Sequence, residues 1–375
     1  MRIALLTNFI PPYRVPLLEA LSARVDTLKV FVSTPMEPNR SWKPEWGTLD
    51  VAVQKAWTFR QTWRHPQGFE DTAFVHVPYD TLAQLRRFAP DAVVSGEMGL
   101  RTLLAIVYGR ILRDVPIVLW LTISEHTEQG RGGARRFLRR WMFRRVQAVL
   151  VNGKSGARYA RRYGITDKQL FFAPYTPDVA GLSHLPLERT PEQEMRLLYV
   201  GQFAPRKGLL PFMHTLCRWA KDHPEHQVDF RLAGDGPQLD ALQAMAVPEN
   251  VHLRFLGHVP FEQLPNLYGQ AGMLVFPTLA DEWGLVVNEA MVAGVPVLGS
   301  RYSQAVEELV IDDSTGWSFR PDHPDEVYLA LDRAFETPPE QRQEMRWRAR
   351  ETALSITPDR IAEQIKQALQ YAMRR

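Results

Sequence analysis

Short apolar runs rich in β-branched residues alternate with amphipathic helical segments along the chain. In the first half, the predicted strands are residues 2–7, 27–33, 73–77, 91–95, 116–121 and 148–152. Continuous apolar strands separated by helices are typical of a parallel sheet that is covered on both faces. The pattern therefore predicts an α/β protein built from doubly wound, Rossmann-like sheets.

The alternation is interrupted at residues 182–195, which are polar, contain two prolines and lack both the helical and the strand period. This segment is predicted to be a linker. It divides an N-terminal domain, residues 1–181, from a second domain, residues 196–356. Residues 357–375 are predicted to form a C-terminal helix that returns to the first domain. The length of 375 residues also favours two domains, because single cores stop growing at about 250–300 residues.

The composition excludes several classes of protein. With 45 Lys and Arg against 42 Asp and Glu, the formal charge of +3 is too small to indicate a nucleic-acid partner. The apolar runs fall short of the ~18–20 residues of a spanning helix, and the N-terminal run is too short for a secretory signal. We therefore expect a cytoplasmic protein. The sequence has neither an Asp-x-Asp pair nor a His-Glu-x-x-His motif, so no metal and no cofactor are expected.

An acidic loop precedes the helix that is predicted to start at residue 285. Asp281 and Glu282 lie in this loop, and Gly284 allows the backbone to turn sharply into the helix. The free amides of Leu285 and Val286, at the positive end of the helix dipole, favour an anion such as a diphosphate.

Glu289 lies about one turn into the same helix, among apolar residues. Asp281 and Glu282 could simply cap the helix, but an unpaired buried carboxylate is costly, so Glu289 is expected to have a function. Arg206 and Lys207 follow the strand at 196–201 and lie at the same edge of the sheet. Alone they could be a solvated basic turn, but opposite an acidic loop they predict a clamp for a diphosphate.

The order of these motifs resembles that of retaining glycosyltransferases of the GT-B fold, in sequence family four, often called group 1. The resemblance covers essentially the whole chain and is strongest over residues 196–321. The matching motifs are Arg206-Lys207-Gly208, Gly234-Asp235-Gly236-Pro237, Phe255-Leu256-Gly257, the acidic loop with Glu289 to Val297, Glu308 and Thr315-Gly316. The resemblance implies two Rossmann-like domains that face each other across a cleft.

It also implies the reaction. Such an enzyme transfers a hexosyl unit from a nucleoside diphosphate sugar to a hydroxyl of a glycan or lipid-linked acceptor, with retention of configuration and without a metal. A nonhydrolysing sugar-nucleotide epimerase shares this architecture and is one alternative. A noncatalytic basic membrane adaptor is another.

The resemblance assigns the donor-binding residues. Lys207 matches the lysine that binds the diphosphate, whereas the family's arginine falls on Gln202, which leaves open whether Arg206 replaces its charge. Asp281 would hold sugar hydroxyls unless Glu282 takes its place, and Glu289 would bind the ribose. The residues implied beside them are Trp283 as the usual aromatic, Gly284, Leu285 and Val286 at the diphosphate, and Gly257, His258 and Val259 near the base.

The N-terminal half matches the family less well. Its first loop contains Asn8, Tyr13 and Arg14 in place of a glycine pair, and these residues are expected on the acceptor side. His126 matches a family histidine that contacts the donor sugar. Glu125, the residue before it, is the alternative candidate for this contact and is otherwise expected on the acceptor side.

Residues 131–146 contain seven arginines and no acidic residue. Phe137, Leu138, Trp141 and Met142 recur among them at helical spacing, and Arg161 and Arg162 extend the charge. A basic helix with an apolar stripe predicts reversible attachment to an anionic membrane surface, as a peripheral protein. The alternative is a helix that packs on the core with its arginines in solvent.

Overall fold

The computed structural model describes residues 1–38, 43–177, 179 and 181–375. The described chain forms two compact units. The first comprises residues 1–66, 70–176 and 356–375, and the second comprises residues 67–69 and 177–355. Each unit contains a parallel sheet with helices, so the prediction of two Rossmann-like α/β domains is confirmed.

The first unit contains strands β1 (Arg2–Thr7), β2 (Thr27–Val32), β3 (Asp50–Val53), β4 (Ala56–Arg64), β5 (Glu70–Pro78), β6 (Ala92–Gly96), β7 (Ile117–Leu121), β8 (Ala148–Val151) and β9 (Leu170–Phe172). Among the described residues, seven of these strands form a parallel sheet in the order β3-β2-β1-β6-β7-β8-β9. Ile3 of β1 lies opposite Leu28 on one side and Ala92 on the other. The strand order therefore reverses between β1 and β6, where doubly wound sheets usually bind ligands.

The predicted strand at 73–77 forms, but it does not join this sheet. It lies within β5, which pairs antiparallel with β4 in a separate two-stranded ribbon, so that Phe59 lies opposite Val75. β4 alternates apolar residues such as Trp57 and Phe59 with polar residues such as Thr58 and Arg60. A strand of this kind cannot be buried on both faces, which explains why it stays outside a sheet that helices cover on both sides.

The helices of the first unit are α1 (Val15–Ser22), α2 (Thr81–Phe88), α3 (Leu100–Val107), α4 (Gly133–Phe143) and α5 (Lys154–Arg161). Side chains along β1 alternate between two buried apolar clusters. Ile3 and Leu5 lie in one cluster, whereas Ala4 and Leu6 lie in the other. This two-residue period shows that both faces of the sheet are covered.

The strands of the second unit are β10 (Leu197–Val200), β11 (Val228–Ala233), β12 (Val251–Gly257), β13 (Met273–Phe276), β14 (Val297–Ser300) and β15 (Gly316–Phe319). They form a parallel sheet in the order β12-β11-β10-β13-β14-β15. Its helices are α6 (Pro191–Glu194), α7 (Leu209–Asp222), α8 (Leu239–Gln243), α9 (Leu264–Tyr268), α10 (Leu285–Val292), α11 (Gln304–Leu309), α12 (Pro324–Glu336) and α13 (Pro339–Leu354). The strand order reverses between β10 and β13, and the predicted basic and acidic loops follow these two strands.

The last helix, α14 (Pro358–Met373), belongs to the first unit. The Thr357 side chain caps its start by accepting from the backbone N–H of Arg360 at 3.2 Å. Ile361, Ile365 and Leu369 are buried in the apolar cluster of the first sheet. The predicted return of the C-terminal helix to the first domain is therefore confirmed.

The predicted linker, residues 182–195, packs as part of the second unit and contains α6. The Arg189 guanidinium donates to the carbonyl oxygens of Ala271 at 3.0 Å and Tyr268 at 3.2 Å. Glu194 forms an ion pair with Arg346 at 2.6 Å, and the Arg346 side chain is fully buried. The segment is polar because its polar side chains bond to the body of the unit, and the first unit ends at Thr176 instead of residue 181.

Candidate active site

In the second unit, the predicted basic and acidic loops meet. Lys207 Nζ lies 2.5 Å from Asp281 Oδ2, and Arg206 Nη1 lies 3.6 Å from the same oxygen. Arg206 also donates to the backbone oxygen of Ala280 at 2.9 Å. The Asp281 carboxylate therefore contacts both members of this cationic pair, and Arg206 contributes a second positive charge to the cluster.

The electrostatics of Asp281 follow from this contact. Burial alone would raise the pKa of the Asp281 carboxyl, but Lys207 and then Arg206 outweigh burial, so the net pKa is lowered. The carboxylate is therefore charged at neutral pH and neutralises part of the positive charge of the loop. An incoming diphosphate would compete with it for Lys207.

Two glycines allow the loops to approach each other. Gly208 has φ +67°, and a Cβ at this position would lie 2.1 Å from the backbone oxygen of Pro277. Gly284 has φ +110°, and its Cβ would lie 2.7 Å from the ring of Phe276. Any other residue would push apart the loops that follow β10 and β13, or strain the backbone at the start of α10.

The first turn of α10 supplies anion-binding groups. Leu285 and Val286 are half-buried there, and the first amides of a helix have no acceptor within the helix itself. The positive end of the helix dipole adds to them. Together with Lys207 and Arg206, this turn gives one sheet edge the chemistry of a diphosphate site.

Glu289 lies on the buried side of α10 and is 8% exposed. The Tyr268 hydroxyl donates to Glu289 Oε2 at 2.8 Å. Burial, followed by the charge of Glu289, raises the pKa of Tyr268 well above its usual range, so the phenol stays protonated and remains a donor. The buried carboxylate is thus hydrogen-bonded inside the unit, and the functional role of Glu289 stays a prediction. The sequence did not identify Tyr268, because nothing in a pattern links residues of separate helices.

The adjacent residue on α10 has its own aromatic partner. Trp283 Nε1 donates to Asn288 Oδ1 at 2.7 Å, and both side chains are almost fully buried. Trp283, which the resemblance places in the donor site, therefore packs inside the unit and ties the acidic loop to the helix. Asn288 is a second residue that sequence reasoning missed.

The remaining predicted donor residues lie at the same edge of the sheet. Gln202 is exposed, and its backbone oxygen accepts from the hydroxyl of Tyr199 at 2.7 Å. The backbone oxygen of Gly257 accepts from the N–H of Gly234 at 2.8 Å, and His258 beside it is exposed. Glu282 is half-buried, and its backbone oxygen accepts from Gln304 Nε2 at 2.7 Å. The side chains of Gln202 and His258 are therefore accessible from solvent.

In the first unit, a buried arginine supports the loop after β1. Arg101 Nη1 donates to Asn8 Oδ1 at 2.8 Å and to Ser33 Oγ at 2.7 Å. The Arg101 side chain is buried, and this burial lowers its pKa to about 10. Asn8, predicted on the acceptor side, is thus held in one orientation at the point where the strand order reverses.

The other acceptor-side residues of this loop are stacked on aromatic rings. The Arg14 guanidinium carbon lies 4.8 Å from the ring centre of Trp120 and 4.6 Å from that of Tyr175. The ring of Tyr13 lies 5.6 Å from that of Tyr175. Asn8, Tyr13 and Arg14 therefore share a loop whose side chains are ordered by packing.

The loop after β7 contains the two rival residues. Glu125 forms ion pairs with Arg158, at 2.6 Å, and with Arg162. Its carboxylate is occupied by α5, which weakens the expectation that it meets a substrate. His126 is half-buried, and its backbone oxygen lies 2.7 Å from Nε2 of His65. The role of His126 toward a donor sugar stays a prediction.

The predicted basic surface is smaller than the sequence indicates. Glu128, just before the arginine-rich segment, forms ion pairs with Arg131 at 3.9 Å, with Arg135 at 3.8 Å and with the buried Arg139. Arg161 and Arg162 also have acidic partners, Asp167 and Glu125. The segment 131–146 contains no acidic residue, but the fold brings acidic residues from outside it to three of its arginines. It does the same for Arg161 and Arg162.

The solvent-exposed basic surface of α4 is smaller than the predicted one. Along α4 and at the residue that follows it, Arg136, Arg140 and Arg144 are exposed at intervals of four residues. Phe137 beside them is 74% exposed and Leu138 is 40% exposed, whereas Met142 is buried in the core. The predicted apolar stripe is therefore divided between the surface and the interior.

The described residues contain neither a membrane-spanning helix nor a cluster of metal ligands. None of the helices described is both long enough and apolar enough to cross a bilayer. Nor does the described part of the chain bring together three or more His, Cys, Asp or Glu side chains in a group suited to hold a metal ion.

Comparison with known proteins agrees with this geometry. Residues 187–352 match the family model of glycosyl transferases group 1. Glycogen synthase of Mycobacterium tuberculosis is 35% identical over 127 residues, which are 33% of this chain and 30% of that protein. An uncharacterised glycosyltransferase of Methanocaldococcus jannaschii is 28% identical over 146 residues, 38% of this chain and 36% of that protein. The matches thus span about a third of the length of these relatives.

Solved structures resemble the whole chain. The Anabaena protein HepE in complex with UDP has a TM-score of 0.70 at 16% identity, with 99% of this chain and 100% of that chain covered. The lipopolysaccharide outer core galactosyltransferase WaaB has a TM-score of 0.74 at 13% identity, with 99% of each chain covered. The protein therefore has the GT-B fold, and residues 187–352 of its second unit are similar to the glycosyl transferases group 1 family.

Proposed function

We propose that this protein transfers a hexosyl unit from a nucleoside diphosphate sugar to a hydroxyl of a glycan or lipid-linked acceptor, with retention of configuration. The observation that carries the proposal is the convergence of Lys207, Arg206 and the first turn of α10 at one sheet edge. The buried, hydrogen-bonded Glu289 lies on the same helix. That HepE was crystallised with UDP, and that glycogen synthase is a relative, supports a nucleotide sugar as the donor.

Each site residue of the second unit has a role in this reaction. Lys207, Arg206 and the amides of Leu285 and Val286 stabilise the diphosphate as negative charge develops on it. Once the diphosphate engages Lys207, the Asp281 carboxylate becomes available for sugar hydroxyls. Glu289 accepts hydrogen bonds from the ribose of the donor.

The proposed chemistry takes place on one face of the sugar. Retaining hydrolases use two carboxyl groups ~5–5.5 Å apart, one of them a nucleophile. Here Asp281 is paired with Lys207 until the diphosphate engages that lysine, and Glu289 is hydrogen-bonded to Tyr268. We assign both carboxylates to binding hydroxyl groups and neither to nucleophilic attack. The leaving phosphate would take the proton of the acceptor hydroxyl, and the protein would supply orientation and charge stabilisation. From the first unit, His126 would contact the donor sugar, and Asn8, Tyr13 and Arg14 would handle the acceptor.

We propose that no metal is required. Lys207 and Arg206 place two positive charges near the diphosphate position, which is the service a divalent ion provides in other transferases. Turnover should therefore persist in EDTA. Complete loss of turnover in the chelator, with recovery on adding a divalent ion, would contradict this mechanism.

A thermal-shift screen with UDP-, GDP- and ADP-sugars tests the function itself. A ligand at 100 times its dissociation constant stabilises the folded protein by about 2.7 kcal/mol, so the preferred donor should raise the Tm clearly. Hydrolysis of that donor without an acceptor then separates an enzyme from a noncatalytic adaptor. If no nucleotide sugar stabilises the protein and none is hydrolysed, the proposal fails.

We also propose that the protein attaches peripherally to an anionic membrane, on its cytoplasmic side, through α4. Arg136, Arg140 and Arg144 would contact lipid headgroups, and the exposed ring of Phe137 would enter the interface. Each basic residue near an anionic surface contributes about 1 kcal/mol, so three arginines and one aromatic ring give weak, reversible binding. Such attachment suits an enzyme whose acceptor is carried by a lipid.

A further inference from the structure

We propose that Tyr268 is a positioning residue that gives the donor site its preference for a ribose-bearing nucleotide. The inference rests on the proposed function, because it deepens the role of Glu289. Tyr268 ends α9 and is fully buried, and its hydroxyl donates to Glu289 Oε2 at 2.8 Å. This contact joins two helices that are otherwise separated by strand β13 and the acidic loop.

The physical reason starts from the cost of a buried carboxylate. A charged group removed from water must be hydrogen-bonded, and a hydroxyl donor to a carboxylate forms a strong, charge-assisted bond. Because its pKa is raised, the phenol of Tyr268 stays protonated and can donate to the Glu289 carboxylate. The bond therefore favours the charged form of Glu289 and restricts its side chain to one orientation.

A fixed carboxylate can recognise a ribose better than a mobile one. Ribose hydroxyls are donors, and the ionised carboxylate is an acceptor with several lone-pair directions. Ordering a side chain at the moment of binding costs about 0.5–1.5 kcal/mol, and a residue that is already ordered avoids this cost. Tyr268 thus contributes to binding through Glu289, without contacting the nucleotide itself.

The backbone of Tyr268 is in turn hydrogen-bonded to Arg189. Its backbone oxygen accepts from Arg189 Nη2 at 3.2 Å, and Arg189 Nε donates to the backbone oxygen of Ala271 at 3.0 Å. Arg189 belongs to the segment 182–195, which packs on the second unit. The chain of contacts therefore runs from this segment through the end of α9 to Glu289.

The neighbouring aromatic cannot replace Tyr268. Trp283 Nε1 already donates to Asn288 Oδ1 at 2.7 Å, and an indole has a single N–H to give. Removal of the Tyr268 hydroxyl should consequently leave Glu289 Oε2 without this donor. The change leaves in place the contacts of Lys207 and Arg206 with Asp281.

The experiment compares ribose and dideoxyribose nucleotides. Binding of UDP and of 2′,3′-dideoxy-UDP is measured by calorimetry for the intact protein and for Tyr268→Phe, with GDP or ADP and their dideoxy forms used instead if they bind more tightly. We expect the intact protein to prefer the ribose form. In Tyr268→Phe, affinity for the ribose form should fall roughly 10-fold, while affinity for the dideoxy form stays nearly constant.

The matched control is Tyr108→Phe, which removes a buried tyrosine hydroxyl in the first unit and should leave both affinities unchanged. Incorporation of 4-aminophenylalanine at position 268 retains a donor at the same place and should restore the ribose preference. Equal losses for both nucleotides in the Phe variant would overturn the proposal, as would an unchanged ribose preference. If the Phe variant does not fold, the aminophenylalanine protein decides, and loss of ribose preference there is the contrary result. Failure of the intact protein to bind any nucleotide would instead reject the proposed function.

Discussion

The two units share a fold but stabilise the same edge of their sheets in different ways. In the second unit, opposite charges from two loops meet where the strand order reverses, as Lys207 does with Asp281. In the first unit, the buried Arg101 donates to the neutral side-chain oxygens of Asn8 and Ser33. One edge is a charged cluster with a place for a diphosphate, and the other is an ordered polar surface.

The family match shows the same division. It covers residues 187–352, which lie in the second unit, whereas the similarity over the whole length is one of structure. In the proposed reaction, a nucleoside diphosphate demands a fixed set of charges and close backbone approaches, so its site would leave motifs in the sequence. Acceptors differ in chemistry, so a sheet edge that handled them would carry no common spacing. Sequence motifs therefore identify the second unit, whereas the first unit is recognised only from its structure.

The largest effect should come from a structural arginine of the first unit. Arg139 and Glu128 form an ion pair in which both side chains are less than 5% exposed, and Arg139 also donates to the hydroxyl of Tyr159. Removing Arg139 leaves the buried Glu128 carboxylate with only its longer pairs to Arg131 and Arg135, so Arg139→Ala should lower the free energy of unfolding of the first unit by about 3–5 kcal/mol. Urea unfolding monitored by circular dichroism measures the loss.

The control for this change lies one residue along the helix. Arg140 is exposed, and Arg140→Ala should alter the free energy of unfolding by less than about 0.5 kcal/mol. Equal stabilities for the two variants would mean that Arg139, like Arg140, is a solvated residue of α4. The first unit would then not depend on a buried ion pair between Arg139 and Glu128.

The next largest effect should appear at Glu289 of the second unit. Glu289→Gln keeps the shape of the side chain, and Tyr268 can still donate to the amide oxygen, but the charged acceptor for ribose hydroxyls is lost. We expect kcat/KM for the nucleotide sugar to fall roughly 100-fold, since hydrogen bonds to charged groups contribute about 1.5–3 kcal/mol. The Tm should change little.

Steady-state kinetics and a thermal melt of the same preparation test this expectation. A large loss of Tm with unchanged kcat/KM in the folded fraction would assign Glu289 to the core. The corresponding change in the first unit, Glu97→Gln, should leave donor affinity intact, because Glu97 lies at the end of β6 and accepts from Thr122 at 2.7 Å. Loss of donor affinity in that variant would break the division of labour between the units.

A somewhat smaller effect is expected at Lys207. Lys207→Ala removes a charge-assisted contact to the diphosphate, but it also frees Arg206 to approach the diphosphate, so the donor Kd should rise about 30-fold. The matched control is Lys221→Ala, an exposed lysine on α7 of the same unit, which should leave the Kd unchanged. Calorimetric titration with the preferred donor distinguishes them, and equal affinity of the Lys207 variant and the intact protein would reject its assignment.

Prediction from the sequence succeeded where a residue type has one physical use. Gly208 and Gly284 adopt positive φ beside another loop, and the adjacent basic and acidic residues follow from their position at the ends of neighbouring strands. The continuous apolar run of β1 likewise predicts a sheet covered on both faces, as found. Local chemistry was sufficient in these cases, because each inference depended on residues close in sequence or on strands in known order.

Prediction fell short where a residue's partner is distant in sequence. Tyr268 and Glu289 are separated by 21 residues, and Glu194 and Arg346 by 152. The polar segment 182–195 was therefore interpreted as a linker, and the arginines of 131–146 as an unneutralised face. In each case the sequence contains the polar groups, but only the fold shows which of them neutralise one another.

The smallest expected effect concerns the arginines of α4 that the fold leaves exposed. Arg140→Gln should weaken binding to liposomes rich in phosphatidylserine about 5-fold, since one basic residue near an anionic surface contributes about 1 kcal/mol. Arg86→Gln on α2, another exposed arginine of the first unit, is the control and should have no comparable effect. Flotation at low and high salt separates charge from apolar insertion, because screening removes the first and leaves the second. If the protein binds phosphatidylcholine and phosphatidylserine liposomes equally at low salt, or if both variants lose binding alike, the α4 surface does not direct attachment and the contrast between the units reduces to their substrate sites.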